Sequence, residues 1–260
     1  MDFGIRGKYA LVTGGSHGIG FATAQALAAE GCHVAICARK ENQLAEAVRG
    51  LKAQGVEALG ISADVLIAGD IERVIKKIIE SWGTLHILVN NVGGGGRWGK
   101  PDIEETPEDV WLDVYNKNAM AAVRFTKLAL PLMRKQKWGR VVTVASIYGY
   151  EGGGRPWHNM AKAAEISLMK TLAMDPGLAR DGVTFNTVAP GSIMIPGTGW
   201  DEERKKNPKE FEKNILAHYP LGRLGTPEEV ASVITFICSR NASLVSGASI
   251  LIDGAESRSF

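Results

Sequence analysis

Apolar residues gather in short runs separated by longer amphipathic stretches along nearly the whole chain. The runs are YALVTG (9–14), HVAICA (33–38), ALGISAD (58–64), HILVNNVG (86–93), RVVTVAS (140–146), VTFNTVAP (183–190) and SILIDG (249–254). They read as continuous Val, Ile and Leu rather than as an alternation, which predicts strands covered on both faces. Between them lie helical patterns such as GFATAQALAAEG (20–31) and ENQLAEAVRGLKAQG (41–55), each closed by a glycine stop. Strand, helix, strand repeated in this way requires right-handed crossovers. It predicts an α/β fold: a doubly wound parallel sheet of about seven strands with helices on both sides.

No linker or break in composition divides the 260 residues, so a single domain spanning 1–260 is expected. One stretch stands outside the alternation, from GSIMIPGTGW to ILAHYPLGRLG (191–225). It is too long for an ordinary connection, and residues around 192–222 are read as a substrate lid. A formal net charge of +2 offers no field for nucleic acid or an anionic membrane. The clusters RKQK (134–137) and RKK (204–206) are read as solvated helix faces. Cys32, Cys37 and Cys238 form neither a disulfide framework nor a metal-ligand spacing, and Cys32 and Cys37 flank a run that reads as a buried strand. No metal is expected. With no signal-type apolar region and no apolar stretch of membrane-spanning length, a cytoplasmic protein in a reducing compartment is expected.

The first strand runs into LVTGGSHGIG, whose glycines Gly14, Gly18 and Gly20 open the first helix. A strand, a tight glycine turn and a helix N-terminus together let a diphosphate approach the backbone and meet amide groups. Ser16, His17 and Ile19 fill the turn between those glycines.

Thr13-Gly14-x-x-x-Gly18-x-Gly20, then NNVG (90–93), Asn118, Ser146, Lys162 and Pro190-Gly191 occur in the order of the short-chain dehydrogenase/reductase family, which the chain resembles almost end to end. PLGRLGTPEEVASVITFICS and SGASILIDGA are similar to its C-terminal third, and the 3-oxoacyl-carrier-protein reductase branch is the nearest in pattern. The resemblance implies a Rossmann-like fold and a nicotinamide dinucleotide cofactor. It also implies a small-molecule carbonyl or alcohol substrate and a homo-oligomer, commonly a tetramer. Asp64 and Val65 then resemble the adenine contact, although Asp64 also reads as a helix cap. Asn90 and Asn91 resemble the sheet-stabilising and cofactor-lining pair, with Gly93 beyond them. At the end of the second strand, where an acid would hold a ribose hydroxyl, stand Ala38, Arg39 and Lys40. Loss of the acid and gain of two cations favour NADP over NAD, unless Arg39 merely begins the next helix in solvent.

The resemblance assigns Ser146 to the substrate oxygen, Lys162 to the nicotinamide ribose and Asn118 to a water relay. The usual proton-carrying Tyr is His158 here, in RPWHNMAK. Residues 158 and 162 lie one helical turn apart on one face. A neighbouring ammonium disfavours imidazolium, so His158 is expected to be mostly neutral at pH 7, a ready base and a weak acid. Tyr148 or Tyr150 in the following loop is the competing phenol, and a cofactor-binding protein with impaired redox chemistry, or one with non-redox chemistry, is the competing function. A second departure is Ile195, where the family commonly carries a Thr that fixes the carboxamide; backbone groups at Ile193 remain to hold it. Arg97, Trp98, Tyr148, Arg155, Trp157 and Trp200 are expected to face the substrate.

Overall fold

In the computed structural model, which describes residues 2–100 and 102–259, seven strands form one sheet and every neighbouring pair is parallel. The elements in chain order are β1 (Tyr9–Thr13), α1 (Gly18–Ala29), β2 (His33–Ala38), α2 (Glu41–Lys52), β3 (Ala58–Ser62), α3 (Ala68–Trp82), β4 (Ile87–Asn90) and α4 (Glu108–Tyr115). They continue as α5 (Ala121–Lys135), β5 (Gly139–Val144), α6 (Pro156–Ala173), α7 (Pro176–Arg180) and β6 (Val183–Pro190). Last come α8 (Gly199–Lys206), α9 (Pro208–His218), α10 (Pro227–Ile237) and β7 (Ser249–Ile252).

The sheet order is β3-β2-β1-β4-β5-β6-β7, so the winding reverses between β1 and β4. A crevice opens beyond the carboxyl ends of strands at such a reversal. Adjacent residues of one strand serve opposite layers: Val12 packs in the core beneath α1, α2 and α10, and Leu11 in the core beneath α3 and α5. That double coverage is why the strands read as unbroken apolar runs. Phe125 and Phe185, both fully buried, anchor the second layer, where truncation to Ala costs about 3–5 kcal/mol.

One expectation changes in detail. The run to residue 146 stops pairing with β6 at Val144, which leaves Ser146 in the turn beyond the strand. The stretch 191–225 carries two helices, α8 and α9.

The cations of the basic clusters are exposed to solvent, and several are also paired. Arg134 and Lys137 both reach Asp181, and Arg204 and Lys205 both reach Asp201. Hydrogen bonds hold both carboxyls below the usual range, led by Lys137 at Asp181 and by the Gly197 N–H at Asp201. Helical spacing alone brings Arg204 and Lys205 to Asp201, whereas Asp181 is distant in sequence from Arg134 and Lys137.

Burial pushes the thiols of Cys32 and Cys37 up to about 12, and raises that of Cys238 as well. Among the described residues no helix is long and apolar enough to cross a membrane, and no group of His, Cys, Asp and Glu is placed to hold a metal ion.

Candidate active site

The glycine turn is held from two sides. Gly14 and Gly18 sit at φ +65° and +56°, a region that side chains disfavour. A Cβ on Gly20 would lie 2.4 Å from both the Gly14 carbonyl oxygen and Asn91 Nδ2. Asn91 Nδ2 donates to the carbonyls of Thr13 (2.9 Å) and Gly14 (3.3 Å), while Thr13 Oγ1 accepts from the Asn91 and Val92 amides. Asn90 donates instead to Thr126 and Thr143, tying β4 to α5 and β5. The N-terminus of α1 has no side-chain cap, and His17 takes the cap position in extended backbone.

Beside this turn lies a crevice of about 370 Å³, lined by Gly14, Ser16 and His17, then Arg39, Lys40, Asp64 and Val65, then Asn91, Gly93 and Lys117. Missing Cβ atoms, open helix amides and an apolar-polar lining fit a dinucleotide. Asp64 is a turn former and a wall of the crevice at once: its Oδ1 accepts from Leu66 N–H, and its Oδ2 lies 3.9 Å from Arg39. Lys117 is a lining cation that sequence reasoning passes over. Its ammonium lies 4.4 Å from the centroid of Trp98, and burial, then Arg39, draw its pKa down. The π-turn Asn116–Met120 between α4 and α5 turns it toward the crevice, an irregularity frequent at functional sites.

A second hollow continues past Gly18, Ile19, Gly93, Ser146, His158, Lys162, Pro190, Gly191 and Ile193. Ser146 caps the turn after β5 by accepting from Tyr148 N–H at 3.2 Å. α6 begins at Pro156 with Arg155 as its cap residue, and its inner face carries His158 and Lys162. Lys162 Nζ donates to the Val144 carbonyl and to Glu165 Oε2, each at 3.0 Å. Gly93 leaves the space they need, since a Cβ there would come within 2.7 Å of Asn118 Oδ1 and 2.9 Å of Lys162 Nζ.

The Asn118 side chain is fully buried and committed to protein: its amide donates to Gly94 and Val114 carbonyls, and its oxygen accepts from Gly94 N–H. It therefore clamps the glycine segment after β4. Burial, then the Lys162 ammonium, lower the His158 imidazole to about 4. A neutral ring faces the hollow at physiological pH.

His158 and Ser146 also line a cavity of about 560 Å³ with Arg97, Tyr148, Arg155, Ser192, Trp200 and Glu256. Trp157 does not face it. That indole is 0% exposed and packs edge-on to Trp111, 5.3 Å between ring centroids, beside Val114 and Ala161. One position along a helix turns a side chain by a large angle, which sends Trp157 toward α4 while His158 faces the site. Trp98 likewise lies outside this cavity and covers Lys117, and Tyr150 is turned to solvent. Arg97 reaches α8, 3.1 Å from Glu203, and Trp200 packs on Phe211 and Tyr219.

Ile195 rests against Gly18, where a Cβ would be 3.2 Å away. Ser192 and Met194 take the backbone pairing with Gly225, leaving the N–H and C=O of Ile193 outside that pairing. Thr198, unmarked in the sequence, lines the same hollow and donates to the Ile195 carbonyl. The C-terminal residues also join the site: Glu256 accepts from the amide and hydroxyl of Ser192, and Glu151 accepts from Arg258 N–H and Ser259. These ties span 64 and 107 residues and leave no local signature.

A glycine-turn crevice at the winding reversal, continuous with a hollow holding a serine and a buried lysine, defines a dinucleotide-dependent oxidoreductase site. The chain belongs to the short-chain dehydrogenase/reductase family and is an NAD(P)-dependent oxidoreductase acting between CH–OH and C=O. The family model described as enoyl-(acyl carrier protein) reductase matches residues 14–255. Dehydrogenase/reductase SDR family member 4 of Oryctolagus cuniculus is 34% identical over 96% of this chain and 94% of its own length. The 3-oxoacyl-[acyl-carrier-protein] reductase FabG of Escherichia coli is 35% identical over 98% of each. L-Sorbose reductase from Gluconobacter frateurii, solved with NADPH and L-sorbose, superposes with a TM-score of 0.91 at 33% identity, covering 100% of both chains.

Proposed function

We propose that this protein is an NADP-dependent oxidoreductase that interconverts a small-molecule carbonyl and a secondary alcohol, with His158 as its proton carrier. The observation that carries the reading is the shared hollow lined by His158, Ser146 and Lys162 at the mouth of the glycine-turn crevice. Arg39 and Lys40, with no acid at Ala38, favour the 2′-phosphate, and Lys117 adds a cation on the facing wall. The NADPH in the L-sorbose reductase structure agrees with that choice.

A bound nicotinamide supplies the hydride acceptor for oxidation and the donor for reduction. In oxidation the Ser146 hydroxyl holds the substrate oxygen, and the neutral His158 ring takes the alcohol proton as the C–H electron pair leaves carbon. The ring becomes imidazolium and returns its proton to solvent after the ketone departs. A ring held near 4 suits this direction at neutral pH, because the base form is already present. Tyr148, edge-on to His158 at 6.4 Å between centroids, is the competing phenol. Burial, and then Glu256, raise its pKa, which makes it the poorer carrier. Exposed Leu112 on α4 and Met160 on α6 favour association through these helices into a homo-oligomer.

The test is a comparison of native protein, His158→Phe and His158→Tyr with NADP(H) and NAD(H) over a panel of alcohols and ketones. The reading expects His158→Phe to lose turnover while its NADPH affinity, measured by calorimetry, persists. Equal turnover in all three rejects it. Native protein that binds NADPH without turnover, rescued by His158→Tyr, favours the impaired, cofactor-binding reading.

A further inference from the structure

The inner face of α6 is set by the buried residues Trp157, Ala161, Glu165 and Met169, four apart, with Lys162 beside them. Helical packing asks for an apolar residue at 165. A carboxylate there is costly to bury unless it is paired. Glu165 has that partner: its Oε2 lies 3.0 Å from Lys162 Nζ, with side-chain exposures of 1% and 5%. The same ammonium donates to the Val144 carbonyl at the end of β5. Two of its three hydrogens are thereby fixed on the sheet side, and the third remains for the hollow.

We infer that Glu165 is a positioning residue for proton transfer, its carboxylate fixing the Lys162 ammonium against β5 and offsetting that charge as His158 feels it. This rests on His158 as the proton carrier. With a phenol in that place a bare ammonium helps, because it favours phenolate; with an imidazole it opposes the protonated ring. A buried anion one turn further on reverses part of that penalty. Burial raises the Glu165 carboxyl to about 6, against the pull of Lys162, so it is ionised at neutral pH.

Other charged or titratable groups around the ring are Tyr148 after β5, Arg97 from the glycine segment, Arg155 at the start of α6 and Glu256 from the C-terminal tail. Lys117, on the π-turn, lies within electrostatic reach of Lys162. Lys162 is the charge that weighs on His158. Glu165 touches that lysine directly, which makes Lys162 the route by which a substitution at 165 is expected to reach the ring.

The full chain is labelled with ¹³C-histidine, and the His158 resonance is assigned with His158→Asn. Native, Glu165→Gln and Glu165→Asp proteins are then titrated, and kcat and KM are followed with pH. In Glu165→Gln the ring should titrate lower by about half a unit or more. Its kcat for oxidation at pH 7 should fall about two- to threefold with KM nearly unchanged, and Glu165→Asp should recover most of both. If Glu165→Gln fails to fold, Glu165→Asp carries the same titration with a smaller shift. An unchanged His158 titration in a folded variant overturns the inference, even if His158→Phe is inactive. A shifted titration with an active His158→Phe sinks the proton-carrier reading instead and leaves the coupling through Lys162 standing.

Discussion

His86 and His158 sit at opposite ends of the sheet, and burial is the main reason that each imidazole is lowered to about 4. A lysine is the second cause in both, Lys8 for one and Lys162 for the other. Their surroundings differ. His86, just before β4, accepts from Tyr9 N–H through Nδ1, stacks on Tyr9 and meets the edge of Trp138. It is a tile in an aromatic row at the amino ends of the strands. His158 lines two connected hollows and shares them with Ser146. A displaced pKa therefore marks burial; only the open space beside the ring, and what shares that space, marks chemistry.

Substitution separates the two most sharply. His158→Phe should lower kcat by about a hundredfold or more, the scale of lost acid–base catalysis, while its urea midpoint stays close to native. His86→Phe should keep kcat within about threefold, but lose about 1–3 kcal/mol of stability because the Tyr9 amide loses its acceptor. Steady-state kinetics and urea titration on both variants check this. A folded, inactive His86→Phe would break the contrast.

Acid provides a second, smaller test. Both native imidazoles bind protons more weakly than in the unfolded chain, so their contribution to stability is fully present above about 6.5 and is lost as pH falls through 4. Glu165 runs the other way: its raised pKa gives a contribution present below about 4.5 and lost as pH climbs through 6. Urea midpoints should therefore fall from pH 6.5 toward 4, and His86→Gln should flatten that slope. A midpoint that rises on acidification contradicts the assignment.

The smallest effect concerns the two lysines. Lys8→Met should move the His86 titration upward by less than about one unit and leave turnover unchanged, as followed by histidine NMR. A matching change at His158 would show the two ends of the sheet to be coupled.

Much of this was open to the sequence because the governing rules are local. Unbroken Val, Ile and Leu report a doubly covered strand, the glycines report a turn with no room for Cβ, and 158 with 162 reports one helix face. What escaped it depends on distant partners. Trp157 and His158 are neighbours, and only the placement of α4 decides which of them turns inward. Lys117 gains its place from a π-turn that periodicity does not reveal. Glu165 stood at helical spacing from Lys162 in plain view, yet a Glu–Lys pair at that spacing is ordinarily a solvent-facing one, and burial comes from α6 docking on the sheet. Glu256 had no neighbour in the chain to give it meaning.

The ties from Glu256 to Ser192 and from Glu151 to the backbone at Arg258 act as a buckle across the mouth of the cavity. A protease that nicked the chain just after Asp253 would sever that fastening without touching a strand. The clipped protein would keep its helical and sheet signature by circular dichroism yet discriminate poorly among substrates, so loss of selectivity on storage would trace to the last few residues rather than to unfolding.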